Sequence, residues 1–225
     1  MGKKKLIRFK DIATMDYVVE PTMEDIKNDA FPLKGKWREE LFKNDHPIIL
    51  ELGCGKGEYA VGLGKKYPQN NYLGVDIKGA RIWYGANTVR EEGLKNIGFL
   101  RTRIDFIEAF FGENEIDEIW LTFSDPQIRK PRKRLTSKLF IDRYRKFLKP
   151  GGIIHVKTDS SWLFASTLEQ IDQHGYHLLE KTWDLYGEMP ENLDADTREI
   201  LGIRTHYEQI FSDKGFDIKY LKFKL

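Results

Sequence analysis

The clearest pattern along the chain is an apolar run broken by one charge, Ile48-Ile-Leu-Glu51-Leu, which predicts a buried strand. It ends in three alternating glycines, Gly53, Gly55 and Gly57, and the residues from Glu58 to Lys66 predict a helix. Further strands are predicted from Asn71 to Ile77, Gly98 to Ile104, Asp117 to Phe123 and Gly152 to Lys157, the last introduced by a Pro150-Gly-Gly turn. Helices are predicted to start near Gly79 and to span Phe106 to Phe111, Thr136 to Leu148 and Ser161 to Gln173. Tyr176 to Tyr186 reads as a sixth strand, Gly187 to Asp196 as a loop, Thr197 to Ser212 as a helix and Phe216 to Phe223 as a seventh strand. Such alternation predicts an α/β fold: a mostly parallel, seven-stranded, Rossmann-like sheet with helices on both faces and right-handed crossovers. The short last connection makes the C-terminal strand an antiparallel edge. Residues 1–45 read as a basic N-terminal extension with one short helix after Pro21, and residues 46–225 as a single α/β domain.

In such sheets, ligands lie outside the carboxyl ends of the strands, where the strand order reverses. The glycine spacing is G-x-G-x-G, not the G-x-G-x-x-G that seats a pyrophosphate, and Glu51 before it suits a cationic ligand better than a phosphate. Asp76, at the tip of the second strand, is placed either to accept from a ribose diol or to cap the next helix. Asp105 either accepts from a purine amine or caps its own helix. The tip of the fourth strand, Thr122-Phe-Ser-Asp125-Pro-Gln127, places Asp125 at the divergence of the first and fourth strands, with Pro126 holding it extended. Asp159, after the fifth strand, adds a carboxylate to the same rim or caps the following helix.

Charge sharpens this picture through its distribution. The whole chain carries only +2, but residues 129–149 hold ten Lys or Arg against one acid, Asp142, for a local +9. The remainder therefore carries −7, the difference between those two values. Arg129, Lys130, Arg132, Lys133 and Arg134 crowd into a loop, and Lys3, Lys4, Lys5, Arg8 and Lys10 crowd the N-terminus. Two basic segments on an acidic body form a directed electrostatic footprint, and a phosphate backbone is the usual target. The one cysteine, Cys54, sits in the glycine loop with no nearby His to activate it, and permits no internal disulfide. The five histidines show no ligand spacing, so no metal is expected. No apolar run approaches the roughly 20 residues of a membrane span, and no secretory signal follows the first lysines.

Together, Glu51-Leu-Gly-x-Gly-x-Gly57, Asp76, Phe123-Ser-Asp-Pro126 with its basic loop, Thr158-Asp159 and Thr205-His-Tyr-Glu208 resemble the bacterial tRNA (guanine-N7)-methyltransferase family. The likeness runs from about Pro47 to the C-terminus, and the Asp-Pro, basic-loop and Thr-x-Tyr-Glu elements are its specific part. It implies a class I methyltransferase fold and transfer of methyl from S-adenosylmethionine to guanine N7 at position 46 of tRNA, releasing S-adenosylhomocysteine. It further implies that Glu51, Gly53, Gly55, Gly57, Asp76, Asp105 and Asp125 hold the cofactor, with Asp125 also catalytic. Arg129, Asp159, Thr205, His206, Tyr207 and Glu208 correspond to substrate contacts, and Arg129, Lys130, Arg132, Lys133 and Arg134 to the RNA-binding loop. A monomer or homodimer working in the cytoplasm on tRNA is implied, with no membrane partner. Two departures stand out: Gln127 and Arg129 stand where the family commonly has Trp and Lys, Arg129 keeping the charge but not its geometry, and the basic loop is shorter than the family's. The competing readings are an amino-group methyltransferase acting on adenine or a protein amide, a non-catalytic RNA-binding module, and a nicotinamide oxidoreductase.

Overall fold

A computed structural model describes residues 3–187 and 195–225. In chain order its elements are α1 Lys3–Ile12, β1 Val18–Val19, α2 Met23–Lys27, β2 Ile48–Leu52, α3 Glu58–Lys66, β3 Asn71–Asp76, α4 Gly79–Glu92, β4 Ile97–Arg101, β5 Ile116–Thr122, α5 Lys138–Tyr144, β6 Leu148–Thr158, α6 Ser161–His174, β7 His177–Thr182, α7 Ala195–Leu201, α8 His206–Ser212 and β8 Lys219–Lys224. Most of the loop expected over 187–196 lies outside the described residues.

The strands form one sheet in the order β1-β4-β3-β2-β5-β6-β8-β7. All pairs are parallel except those made by β8, which runs antiparallel to both β6 and β7. The strand order reverses between β2 and β5, which sets the crevice beside the glycine loop. The mostly parallel α/β sheet expected from the sequence is therefore present, with two refinements. An eighth strand, the two-residue β1, pairs with β4, and the antiparallel C-terminal strand sits one place in from the edge.

Strand alternation sorts the core into two layers. Leu50, Leu52, Leu73, Val75 and Leu100 pack on one face, with Trp37, Phe110 and Phe147. Ile49, Tyr72 and Phe99 pack on the other, with Tyr59, Ile82 and Trp120. This is why the central strands read as continuous apolar runs: both faces are covered. The amino-terminal segment joins the same packing. Ile12, Met15 and Val18 are buried in the second layer, and Asp11 accepts hydrogen bonds from Trp83 at 2.5 Å and Arg90 at 2.9 Å on α4.

The single helix expected over 197–212 is divided into α7 and α8 by a turn at 202–205. The Gly202 N–H donates back to the Arg198 and Glu199 carbonyls, both at 3.1 Å, closing the end of α7. Thr205 then starts α8 with a capping box: its hydroxyl accepts from the Glu208 N–H at 3.1 Å, and the Glu208 carboxylate accepts from the Thr205 N–H at 3.3 Å.

Candidate functional site

The glycine loop is held by backbone hydrogen bonds at the carboxyl ends of β2 and β3. The N–H groups of Gly53 and Cys54 both donate to the Val75 carbonyl, at 2.8 and 3.0 Å. Gly53 and Gly55 adopt left-handed φ of +84° and +57°, and space beyond them is open. Gly57 is different: an added Cβ would lie 2.6 Å from the Phe99 ring, so this position must stay bare for the loop to lie on the sheet. The Cys54 thiol is buried, which pushes its pKa well above the ordinary value and leaves it inert as a nucleophile.

Glu51 is also buried. Its two oxygens accept from the Ala60 N–H at 3.0 Å and the Thr122 hydroxyl at 2.6 Å, tying the first turn of α3 to β2 and β5. Desolvation outweighs those hydrogen bonds and pushes its pKa up to about 7. Asp76 reaches the same space from β3. It accepts from the Gly55 N–H at 3.0 Å and the Lys78 N–H at 2.7 Å, so it ties the glycine loop to the residue that opens α4, although Lys78 and not Asp76 holds the capping position. A carboxylate oxygen accepts more than one hydrogen bond, which leaves Asp76 capacity for a ligand.

Across the reversal point, β5 ends in a strained turn. Phe123 and Gln127, neither of them glycine, have φ of +50° and +47°, and flank Asp125 on both sides. Asp125 is exposed and accepts from the Gln127 N–H at 2.9 Å, an Asx turn that fixes the carboxylate against its own backbone. Backbone strain of this kind persists only where the surroundings impose it, and it clusters at functional sites.

A cleft of about 700 Å³ lies between these elements. Glu51, Gly53, Gly55, Asp76 and Asp125 all line it, as does Thr205 from the C-terminal segment. Asp105 lines an adjoining cavity of about 390 Å³ that shares Gly53, Asp76 and Lys133 with the cleft, and it pairs with Arg103 at 2.8 Å. Gly57 supports the loop from beneath. Asp159 and Arg129 are not among the described residues lining the cleft; Arg129 is exposed in the basic loop, and the Asp159 carbonyl accepts from Lys219 at 3.1 Å. Ser160, not Asp159, caps α6. The side chains of His206 and Tyr207 lie outside the described ones.

Glu208 is fully buried, and its carboxylate is already occupied. Lys157, at the end of β6, approaches it at 2.9 Å, and the Tyr186 hydroxyl donates to it. The Lys157 ammonium also donates to the Leu201 and Ile203 carbonyls at 2.7 and 3.1 Å, so one cation clamps both the end of α7 and the start of α8. Burial pulls the Lys157 pKa down while Glu208 opposes it, and burial together with Glu208 pushes Tyr186 up. Lys157 was not singled out from the sequence, although a lysine closing an apolar strand and a Thr-x-x-Glu spacing were both legible signals. Lys133 and Leu135, which face the cleft, could not be separated from their loop neighbours without coordinates.

Residues 45–221 match a family model described as a putative methyltransferase. Among similar proteins, the tRNA (guanine-N(7)-)-methyltransferase of Bacteroides fragilis is 52% identical over 225 residues, covering 100% of this chain and 87% of that protein. The enzyme of the same name from Christiangramia forsetii is 46% identical, covering 100% and 99%. In structure, the 16S rRNA methyltransferase KamB superposes with a TM-score of 0.61 at 15% identity, covering 83% of this chain and 91% of that one, a likeness of fold. With relatives this similar along its whole length, and with its carboxylates and glycines gathered at the reversal point of a parallel sheet, the chain belongs to the tRNA (guanine-N7)-methyltransferase family.

Proposed function

We propose that the protein transfers a methyl group from S-adenosylmethionine to N7 of guanine 46 in tRNA, in the cytoplasm. One observation carries the reading: carboxylates from three strand tips and an open glycine turn share a single cleft whose far wall is the basic loop. The donor set fits the cofactor. Asp76 has acceptor capacity for a ribose diol, Gly53 and Gly55 leave room for close approach, and Asp105 extends the acidic lining toward a purine amine. Glu51 serves by holding α3 and β5 in register around the loop. When bound, S-adenosylmethionine supplies a sulfonium-activated methyl group.

Guanine N7 carries a lone pair and no proton, so no side chain is asked to act as a base there. The task of the chain is to align the base and to exclude water. Methylation leaves positive charge on the purine, and the exposed, backbone-fixed carboxylate of Asp125 is placed to stabilise it. Thr205 borders the same space, and the Lys157–Glu208 clamp holds it there. Because the base of a folded RNA is stacked, entry to such a cleft requires its extrusion. The exposed cations Arg129, Lys130 and Arg132 serve the phosphates, giving affinity without reading sequence. The shared name of the relatives favours N7 over an exocyclic amine. Incubation with radiolabelled cofactor and bulk tRNA, followed by nucleoside mapping, tests the reading: 7-methylguanosine at position 46 is expected, and label in another nucleoside or in protein sinks it.

A further inference from the structure

Selecting guanine requires groups that match its Watson–Crick edge, where O6 accepts and N1–H and the 2-amino group donate. Several residues expected for that task are engaged or placed elsewhere. The Glu208 carboxylate is taken by Lys157, Tyr186 and the Thr205 N–H, and neither Asp159 nor Arg129 is among the described residues lining the cleft. Thr205 does line it, but a rotating hydroxyl adapts to either polarity and so discriminates poorly.

Gln127 has the groups that are missing. It lines the cleft, and it stands where the family commonly has Trp, a side chain with one donor and no acceptor. Its backbone is wholly engaged: the N–H donates to Asp125 at 2.9 Å, and the carbonyl accepts from the Lys130 N–H at 2.9 Å. The carboxamide, in contrast, has no hydrogen-bond partner among the described residues. The φ of +47° is strained for a residue with a Cβ, and the Asx turn that holds it also carries the Asp125 carboxylate. One rigid turn therefore presents a charged acceptor and a neutral donor–acceptor pair side by side. Phe123, with φ of +50° on the other side of Asp125, adds an aromatic ring to the same cleft.

We propose that Gln127 is a specificity-determining residue that reads the guanine to be methylated: its amide N–H donates to O6 and its amide carbonyl accepts from N1–H. The proposal rests on the reading of the protein as a guanine-N7 methyltransferase and names the side chain that selects the base. The bond to O6 uses the lone pair on the N1 side, so N7, on the other side of O6, stays open to the methyl donor. A neutral amide adds no charge of its own, which leaves stabilisation of the purine cation to Asp125.

The test pairs a change in the residue with a change in the base. Wild type and Gln127→Leu are assayed in single turnover on tRNA carrying guanine or 2-aminopurine at the target position; 2-aminopurine lacks both O6 and the N1 proton. Affinity for S-adenosylhomocysteine is measured by calorimetry. Gln127→Leu is expected to lower kcat/KM on guanine about tenfold to a hundredfold, and the penalty for 2-aminopurine is expected to shrink by the same factor in that variant. The different intrinsic reactivity of 2-aminopurine affects both proteins alike and cancels in the cycle. Gln127→Glu, which keeps the size and the acceptor but loses the donor, is expected to be slowed on guanine as well. An equal 2-aminopurine penalty in wild type and Gln127→Leu overturns the assignment. So does a loss of S-adenosylhomocysteine affinity in Gln127→Leu, because Gln127 also borders the adjoining cavity beside Asp105 and would then serve the cofactor's adenine. Either result leaves the methyltransferase reading intact, whereas a wild-type protein that methylates no guanine in tRNA overturns both.

Discussion

The two loops that wall the cleft are built on opposite principles. The glycine loop is fixed by backbone: Val75 accepts from two of its N–H groups, Asp76 from a third, and Phe99 leaves no room for a side chain at Gly57. The basic loop carries a single 3-10 turn, Pro131–Lys133, and its cations at 129, 130, 132 and 133 are exposed. The difference follows from what each must recognise. A small cofactor requires a preformed surface, whereas an RNA backbone is a long line of charge that long, solvated side chains can track. The cofactor side is thus set by geometry and the RNA side largely by charge, with Arg134, whose guanidinium donates to the Ser166 hydroxyl at 2.6 Å, the fixed exception.

The sharpest way to separate the two sides is to remove the group that both serve. Asp125→Ala should lower turnover about a thousandfold in single-turnover assays while tRNA affinity changes little, and Asp125→Asn should show whether the charge or the Asx turn is responsible. Full activity in the Asn variant would remove charge stabilisation from the mechanism. Next in size, Gly57→Ala forces a side chain into left-handed backbone and against Phe99, a cost of roughly 2–4 kcal/mol. Melts should show the loss, cofactor affinity should fall with it, and tRNA affinity should hold.

Glu51 offers a test by pH. Its folded pKa of about 7 lies above the ordinary carboxyl value of 4.5, so the folded state holds a proton that the unfolded chain releases first. Stability contributed in this way is complete below about pH 4.5 and is lost as pH rises through 7. Urea titrations should show a decline of roughly 2–3 kcal/mol from this group between pH 5 and 8, and Glu51→Gln should flatten it. An unchanged slope in the Gln variant would assign the decline elsewhere. Smallest, Arg129, Lys130 and Arg132 changed together to Ala should weaken tRNA binding about tenfold to thirtyfold and reduce its salt slope, with an unaltered melting temperature. A drop in melting temperature would contradict the picture of a loop held only loosely.

Much of this was legible in the residues. The limits of α3, Glu58–Lys66, follow from the glycines before it, the acid in its first turn and the lysines in its last. The convergence of Glu51, Asp76 and Asp125 follows from apolar runs closing in acids on one rim of a mostly parallel sheet. Other features were hidden. The N-terminal segment reads as a charged extension because Lys3, Lys4, Lys5, Arg8 and Lys10 dominate it, yet Ile12, Met15 and Val18 are buried against the sheet. Glu208 reads as a substrate contact through its motif, but its carboxylate is taken by Lys157, Tyr186 and the Thr205 N–H.

The sequence alone determined the alternation of strands and helices from β2 to α6, where the glycine turn falls, and that cationic charge gathers after β5. These are properties of neighbours along the chain: side-chain period, turn conformation and local charge. Only the tertiary structure decided that Glu51 is buried with its pKa pushed up to about 7, that Lys157 clamps α7 to α8, and that Lys133 and Arg134, adjacent in sequence, line different cavities. Those outcomes depend on solvent exclusion and on partners brought together from distant positions, which no local pattern encodes.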